Sequence, residues 1–501
     1  MSAEPIPRET PASDLKANPD TRNWLQRRLV YVPLSLALLL PCYWQPRIQA
    51  GDLSSHIYNA WLTELIQSGR TEGLAIVGQA TNVLFDLILY TLFRWLGPDW
   101  AQRLAVSGAV LIFIWGSFAF VCAIAGRRNW YALPVLAMLG YGWVFHMGFF
   151  NFYLALGLCF WAMSLVWKSG PLRLAGAAAL FAVAYAAHAL PVVWSLALVG
   201  YLWIARLCPE HFRPRLLTAG ILLLIGAHFL VMRVLTSLWS PSQLTLATGG
   251  DQLWVFDGKY YYLLGALLLF WGALLLDLLE THGGRRVAAS IPLHWCVLTA
   301  AGIVVLPSTV LIPGFLHSLV YISERMSLAA GVCACAVLAA APARGFHKYA
   351  VSALALVFFV FLFRDERKLN EFEDRVDRAV AQVPAGQRVV SPIVGFDLRA
   401  DALVHMLDRA CLGRCFSYAD YEPSTAQFRV RVIKPNPFVV FRYGDSWDLQ
   451  NGRYVIQQAD LPLLALGIKD NGEVTVRSLK AGAATGTSEW LALQNRKVPD
   501  R

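Results

Sequence analysis

Long apolar runs, separated by short polar turns rich in arginine, fill the chain from about residue 29 to residue 363. An α-helix needs roughly 17 to 25 predominantly apolar residues to cross the ~30 Å hydrocarbon core of a bilayer. Eleven segments approach that length: 29–44, 104–125, 130–146, 150–167, 174–188, 190–206, 215–235, 260–280, 291–312, 318–341 and 348–363. Backbone groups in lipid find no water to bond, so each segment is predicted to be a helix. The stretch Asn82 to Leu96 reads differently, because it carries Asp86 and Arg94 and runs into Gly97-Pro98. It is predicted to be an amphipathic helix lying in the interface.

The pattern changes after Phe363. Charges mixed with Phe372, Val376, Ala379 and Val380 suit an amphipathic helix from Arg364 to Gln382. Short β-rich runs follow at Arg388 to Ile393, Phe428 to Ile433, Phe438 to Tyr443 and Glu473 to Leu479, divided by Pro, Gly, Asn and Asp turns. The predicted fold is a polytopic α-helical membrane protein of about 11 transmembrane helices with a small C-terminal α+β extracytoplasmic domain. Its parts are a disordered cytoplasmic N-terminus (1–28), a transmembrane domain (29–363) with a first outer loop and interfacial helices at 45–100, and the outer domain (364–501).

Composition agrees with this division. The chain is 57% hydrophobic and 15% charged, where a soluble domain has roughly 25% charged residues; a soluble enzyme is excluded. Of its 43 basic and 33 acidic residues, 20 and 18 lie from Arg364 onward. The basic excess of the remainder gathers in five clusters: Arg127/Arg128, Lys168/Arg173, Arg206/Arg213/Arg215, Arg285/Arg286 and Arg344/Lys348. The span order puts all five on one side, which the positive-inside rule makes cytoplasmic. The N-terminus joins them and the polar C-terminal part lies outside, in a multi-pass protein of the inner or plasma membrane. No basic stripe is interleaved with exposed aromatics, so nucleic acid is not an expected partner.

Arg27 and Arg28 before the first apolar run also fit a signal peptide. The missing small-residue cleavage site and the aromatics Tyr43 and Trp44 favour a retained helix. Seven of the nine cysteines lie in or beside apolar segments as packing residues. Cys411 and Cys415, in the part assigned to an oxidising compartment, are placed for a short disulfide; two unpaired thiols are the equal alternative.

Candidate chemistry concentrates in Gly51-Asp52-Leu53-Ser54-Ser55-His56-Ile57-Tyr58-Asn59-Ala60-Trp61-Leu62, just after the first helix. Asp52 and His56 are four apart, so on a helix both point to one face. Such a pair can take a proton from a hydroxyl or hold a divalent cation. Asp52 can equally be an N-cap for the helix that follows. Asp52 is followed by Leu53, and the next outer loop, His146-Met147-Gly148-Phe149-Phe150-Asn151, has no carboxylate; His146 and Asn151 are its candidates for substrate contact. His188, before Ala189-Leu190-Pro191, sits at an outer turn, where it can meet substrate or satisfy backbone groups freed by the proline. In the loop from Ser237 to Lys259, the residues Asp251, Asp257, Lys259, Trp239 and Trp254 suit sugar stacking and hydrogen bonding, or an ordinary solvated loop with interfacial anchors. Asp86 is a candidate second acid or a polar face of the interfacial helix.

The order of first helix, acid in the first outer loop, interfacial helix and a span ending in Gly126-Arg127-Arg128 resembles the GT-C superfamily of membrane glycosyltransferases. Asn82 to Gly97, with Ala101-Gln102-Arg103-Leu104 behind it, is similar to the interfacial region of the protein O-mannosyltransferase and aminoarabinose transferase branch. Ser323-Glu324-Arg325-Met326-Ser327-Leu328 resembles the arginine-bearing start of a late helix there. The resemblance covers about residues 29 to 128 and 318 to 341. It implies a sugar donor on a polyprenyl phosphate and an extracytoplasmic acceptor (an envelope glycan, lipid or protein), with Asp52 as general base. Arg325 is the first candidate for the positive charge that meets the leaving phosphate. Two other classes stay open from the residues alone: a secondary transporter or lipid flippase, although no internal symmetry is evident, and a non-catalytic envelope scaffold.

Overall fold

A computed structural model describes residues 30–314, 316, 318–342, 344–393, 398–469 and 472–485. The segment expected to be a disordered N-terminus lies outside these residues.

Helix α1 (Tyr31–Leu39) ends in a 3₁₀ turn that starts at Leu40-Pro41. Helix α2 (Gly51–Gln67) follows, then strand β1 (Leu74–Ile76) and the 42-residue helix α3 (Leu84–Ala125). α3 is broken where the sequence foretold it. Gly97 adopts φ 76° and ψ 174°, a conformation open to a residue without Cβ, and Pro98 then restarts the helix with a φ that already suits it. Leu84–Leu96 is thereby separated from the apolar run that continues to Ala125, and Trp95 and Trp100 beside the break are exposed.

The expected segment at 130–146 is two helices, α4 (Ala132–Gly140) and α5 (Trp143–Met147), because Tyr141 and Gly142 leave helical geometry between them. Next come α6 (Phe150–Lys168), α7 (Pro171–Ala187), α8 (Ala189–Leu207) and α9 (Arg213–Val234). Strand β2 (Thr236–Leu238) leads to α10 (Tyr260–His282), α11 (Gly284–Ala288) and α12 (Ile291–Val305). α12 is shorter than the expected 291–312, since residues 309–311 form β3 (Thr309–Leu311) and pair antiparallel with β2. Helix α13 (Ile322–Leu338) precedes α14 (Gly345–Val380).

Each of the eleven expected segments therefore contains a helix. Among the described residues, six helices are long and apolar enough to cross a membrane by length and composition: Leu84–Ala125, Phe150–Lys168, Ala189–Leu207, Glu210–Val234, Tyr260–His282 and Gly345–Val380. Shorter apolar helices occupy Tyr31–Cys42, Ala132–Met147, Pro171–Ala187 and Ile291–Val305.

α14 corrects one expectation. The last apolar segment and the amphipathic helix after it are one continuous helix of 36 residues, about 54 Å at 1.5 Å per residue. That is well beyond a ~30 Å core, so its charged half, from Arg364 on, stands clear of its apolar half.

The chain then folds back through β4 (Arg388–Val390), α15 (Met406–Ala410), β5 (Phe416–Ser417), α16 (Tyr421–Thr425), β6 (Val430–Val432), α17 (Tyr443–Gln450), β7 (Leu463–Ile468) and β8 (Val474–Ser478). Four strands make a mixed sheet in the order β5-β4-β7-β8, with only the β7–β8 pair antiparallel. The run at 438–443, expected as a strand, is not one: Asn436 accepts the backbone amides of Phe438 and Val439 and turns the chain toward α17. β6 joins no strand of this sheet and pairs antiparallel with β1, from the segment between α2 and α3.

The core follows the same path. Val389, Met406, Leu407, Cys411 and Leu466 belong to the same buried cluster as the transmembrane helices, while Val390, Leu449, Ile456 and Leu463 form a smaller one. Buried ion pairs add to the junction. Glu373 on α14 takes both arms of the Arg409 guanidinium, at 2.7 and 3.1 Å, and the side-chain amide of Gln49 at 2.7 Å. Cys411 and Cys415 are joined in a disulfide.

Candidate functional site

α2 starts at Gly51, with Ala50 as its N-cap residue and no side-chain cap. Asp52 is thus one residue inside the helix and is not the cap. Gly51 and Gly148 let the chain pack here: a Cβ on Gly148, whose φ is +83°, would lie 2.5 Å from the amide nitrogen of Asp52. The turn before α6 is therefore pressed onto the start of α2, which fixes where the Asp52 carboxylate points.

That carboxylate lines a cavity of about 220 Å³ together with His56, Asn151, His188 and Arg325. Five of the seven residues singled out in the sequence meet there, from α2, α6, the α7–α8 turn and α13. Phe149, Phe150 and Phe152 supply an apolar wall, and Tyr421, Glu422, Gln427 and Phe428 close it from the C-terminal part of the chain.

The other two lie elsewhere. His146 is buried with its ring nitrogens 3.1 Å from the Gly142 carbonyl oxygen and 3.1 Å from Glu366, whose other oxygen accepts from Trp44. Lys259 is held by Asp257 at 2.8 Å and Asp365 at 2.7 Å. In the same loop Asp251 pairs with Arg399 at 2.8 Å, and Trp254 packs on Tyr261.

Asp52 and His56 share a face but do not pair with each other. His56 Nδ1 stands 2.7 Å from Asp86 Oδ1 as a charge contact without an aligned hydrogen bond. Asp86 also accepts from the Asn151 amide at 2.7 Å, while the Asn151 carbonyl oxygen accepts the Phe85 amide at 2.8 Å. Asn151 thus clamps the interfacial half of α3 onto α6, and Asp86 orients His56. Burial opposes a charge on His56, but Asp86, Glu422 and Asp52 outweigh it and raise the imidazole to about 10.

The charged neighbour of Asp52 is His405, with Nε2 3.8 Å from Oδ1. Asp408 holds the other nitrogen at 2.7 Å and accepts from Ser417 Oγ at 2.5 Å. Against the cost of burial, Asp408 and then Asp52 raise His405 to about 9. An imidazolium therefore faces Asp52 at neutral pH.

Glu422 accepts from Ser55 Oγ at 3.0 Å, and its oxygen lies 4.0 Å from His56 Nδ1. Burial raises its carboxyl against the pull of His56. It gives the cavity a second carboxyl besides Asp52. No local motif announced Glu422 or His405; the only signal was Asp401, His405, Asp408, Asp420 and Glu422 crowding one short stretch of the C-terminal part.

Arg325 has the most unusual surroundings. Its guanidinium carbon lies 3.8 Å from the centre of the Phe149 ring, and its Nε is buried with no hydrogen-bond partner. No carboxylate among the described residues comes within ion-pair distance of it. Its charge is met there by the Phe149 ring face and, at longer range, by Asp52 across the same cavity. His188 accepts the Leu190 amide on Nδ1 at 3.2 Å as the N-cap of α8, which leaves the proton of the neutral ring on Nε2. It is both a backbone cap and part of the cavity wall.

The donor set is a poor fit for a resident divalent cation. His56 is engaged by Asp86, and among the described residues no group of three or more His, Cys, Asp or Glu side chains is arranged to hold a metal.

The cavity occupies one end of the bundle. Phe150 and Asn151 begin α6 and Lys168 ends it, about 28 Å away over 19 residues. At the far end Arg127, Arg128 and Lys168 line one groove, Arg127 donates to the Ala339 carbonyl, Arg206 donates to the Trp167 carbonyl and Arg344 pairs with Asp277. Compared with family models, curated proteins and solved structures, the chain matches none.

Proposed function

We propose that the chain is a glycosyltransferase of GT-C type that moves a sugar from a polyprenyl-phosphate donor to an acceptor outside the membrane. The observation that carries this reading is a pair of opposite charges in one cavity: Asp52, open to the space, and Arg325, with no ion-pair partner among the described residues. In the proposed step Asp52 takes the proton of the acceptor hydroxyl as its oxygen bonds to the anomeric carbon. The bond from that carbon to the phosphate oxygen breaks, and the electron pair leaves with the phosphate. Arg325 meets that charge with a planar fork of donors that suits phosphate oxygens. His405 balances Asp52, and the phenylalanine wall limits water.

The reading includes a topology: eleven spans, the basic loops and N-terminus cytoplasmic, and the site and the residues after α14 external in an inner or plasma membrane. The wide separation of the cavity from the basic loops supports it, as do Trp95 and Trp100, exposed beside the Gly97 break as interfacial anchors. Glycans, lipids and proteins of the cell envelope are the acceptor classes.

Mass spectrometry of envelope glycoconjugates tests the reading in cells carrying the wild-type chain, no chain, or Asp52→Asn. We expect one sugar modification to disappear both without the chain and with Asp52→Asn at normal protein level. Identical profiles in all three would overturn it.

A further inference from the structure

α14 carries a second feature that the cavity does not use. Leu356, Val360, Phe363, Arg364, Arg367 and Lys368 recur at helical spacing and form one exposed stripe, apolar up to Phe363 and basic from Arg364. The stripe faces a groove of about 810 Å³. A second groove of about 560 Å³, almost wholly apolar, continues it between α1, α4 and α14, lined by Leu34, Ala37, Pro41, Leu133 and Ala137. The two share Trp44 and Phe359. Trp44 is fixed there: its indole nitrogen donates to Glu366, and its ring lies edge-on to Phe359 and Phe363 at 6.2 and 5.5 Å.

The charges at the rim are unequal in their partners. Arg367 pairs with Glu371 at 3.0 Å, and Lys259 is neutralised by Asp257 and Asp365. Arg364 and Lys368 have no ion pair or hydrogen bond among the described residues, and as like charges at i and i+4 they repel. They lie toward the same end of the bundle as the cavity, away from the five basic clusters. From Trp44 to Leu34 the apolar part follows about ten residues of 3₁₀ turn and helix, roughly 15 Å, which is half of a ~30 Å core and so the depth of one leaflet.

We propose that this groove is a binding site for one anionic phospholipid, with its phosphate between Arg364 and Lys368 and an acyl chain between α1, α4 and α14. The match is twofold: two cations without a partner face the headgroup level, and an apolar slot one leaflet deep opens directly below them. The site is separate from the cavity around Asp52 and does not depend on the reaction assigned to it.

The test uses the full-length protein in nanodiscs of equal parts phosphatidylglycerol and phosphatidylcholine, with lipid retained after detergent washing counted by native mass spectrometry. We expect about one phosphatidylglycerol per chain, retained about tenfold or more over phosphatidylcholine, since each basic side chain near a headgroup adds to anionic-lipid binding. The double variant Arg364→Gln/Lys368→Gln, in two exposed residues, should lose that preference. Ala37→Trp, which fills the lower groove, should lose the retained lipid. Millimolar glycerophosphoglycerol, a headgroup without acyl chains, should not displace it. Equal retention of both lipids by the wild type, an unchanged preference in the double variant, or displacement by the free headgroup would each overturn the proposal.

Discussion

At the scale of single residues, the site depends on close backbone approach and on imidazolium–carboxylate contacts. Gly148 is the clearest case, because both its φ of +83° and the 2.5 Å gap to Asp52 forbid a side chain. Gly148→Ala is expected to cost about 1–3 kcal/mol of stability, the range for a residue held in an unsuitable backbone conformation. Gly226→Ala, where nothing lies within 4 Å, should be neutral or stabilising by contrast. Thermal unfolding in nanodiscs would compare them. Protonation gives a second expectation. His56 and His405 are raised from 6.5 to about 10 and about 9, so the folded state holds more protons than the unfolded one over that interval. Their contribution is complete below pH 6.5 and is lost as pH rises through 9 and 10; the raised carboxyl of Glu422 acts in the same direction. Unfolding temperatures measured from pH 6 to 10 should fall with rising pH, and a flat or rising profile would contradict the assignment. Asp52, His56 and Arg325 were legible in the sequence because each sits beside a recognisable helix start. His405 and Glu422 were not, because they reach the site only through long-range folding of a stretch with no local signature.

At the scale of elements, the length of the apolar runs placed a helix in each of the expected segments, and the Gly97-Pro98 pair located the break in α3. The misreadings arise where tertiary contacts decide. The charged half of α14 looked like a separate helix because its composition changes at Arg364, yet nothing in 345–380 breaks the helix. Its inward face instead holds Glu366, Glu373 and Asp377 against the loop from Trp44 to Gln49 and against Arg409. Strand β6 was legible as a strand, whereas its partner β1 lies more than 350 residues away, beyond any local pattern. The buried Glu373–Arg409 pair ties α14 to the part of the chain that follows it. Glu373→Gln leaves the Arg409 guanidinium buried without its counter-ion and is expected to cost about 3–5 kcal/mol. Limited proteolysis between Pro384 and Gln427 should be markedly faster in that variant if α14 anchors this segment.

At the scale of the whole molecule, the part of the chain after α14 completes the site. Its residues Tyr421 to Phe428 close a cavity whose floor comes from α2, α6 and α13, and one buried core runs through both regions. The helices set the depth, about 28 Å of α6 between the cavity and the basic loops. The proposed lipid-linked donor, with its sugar at the surface and its chain in the hydrocarbon, matches that placement. The proposed transfer requires Asp52 and Arg325 to serve one reaction, and the most direct test is single-turnover transfer by the purified full-length chain in nanodiscs loaded with the cell's own lipid-linked sugars, with bound donor measured in parallel. General-base help is typically worth about a hundred- to ten-thousand-fold. Asp52→Asn is therefore expected to slow transfer by that order with donor binding near wild type, and Arg325→Lys to weaken both; wild-type transfer by Asp52→Asn, or unaltered donor binding by Arg325→Lys, would contradict it.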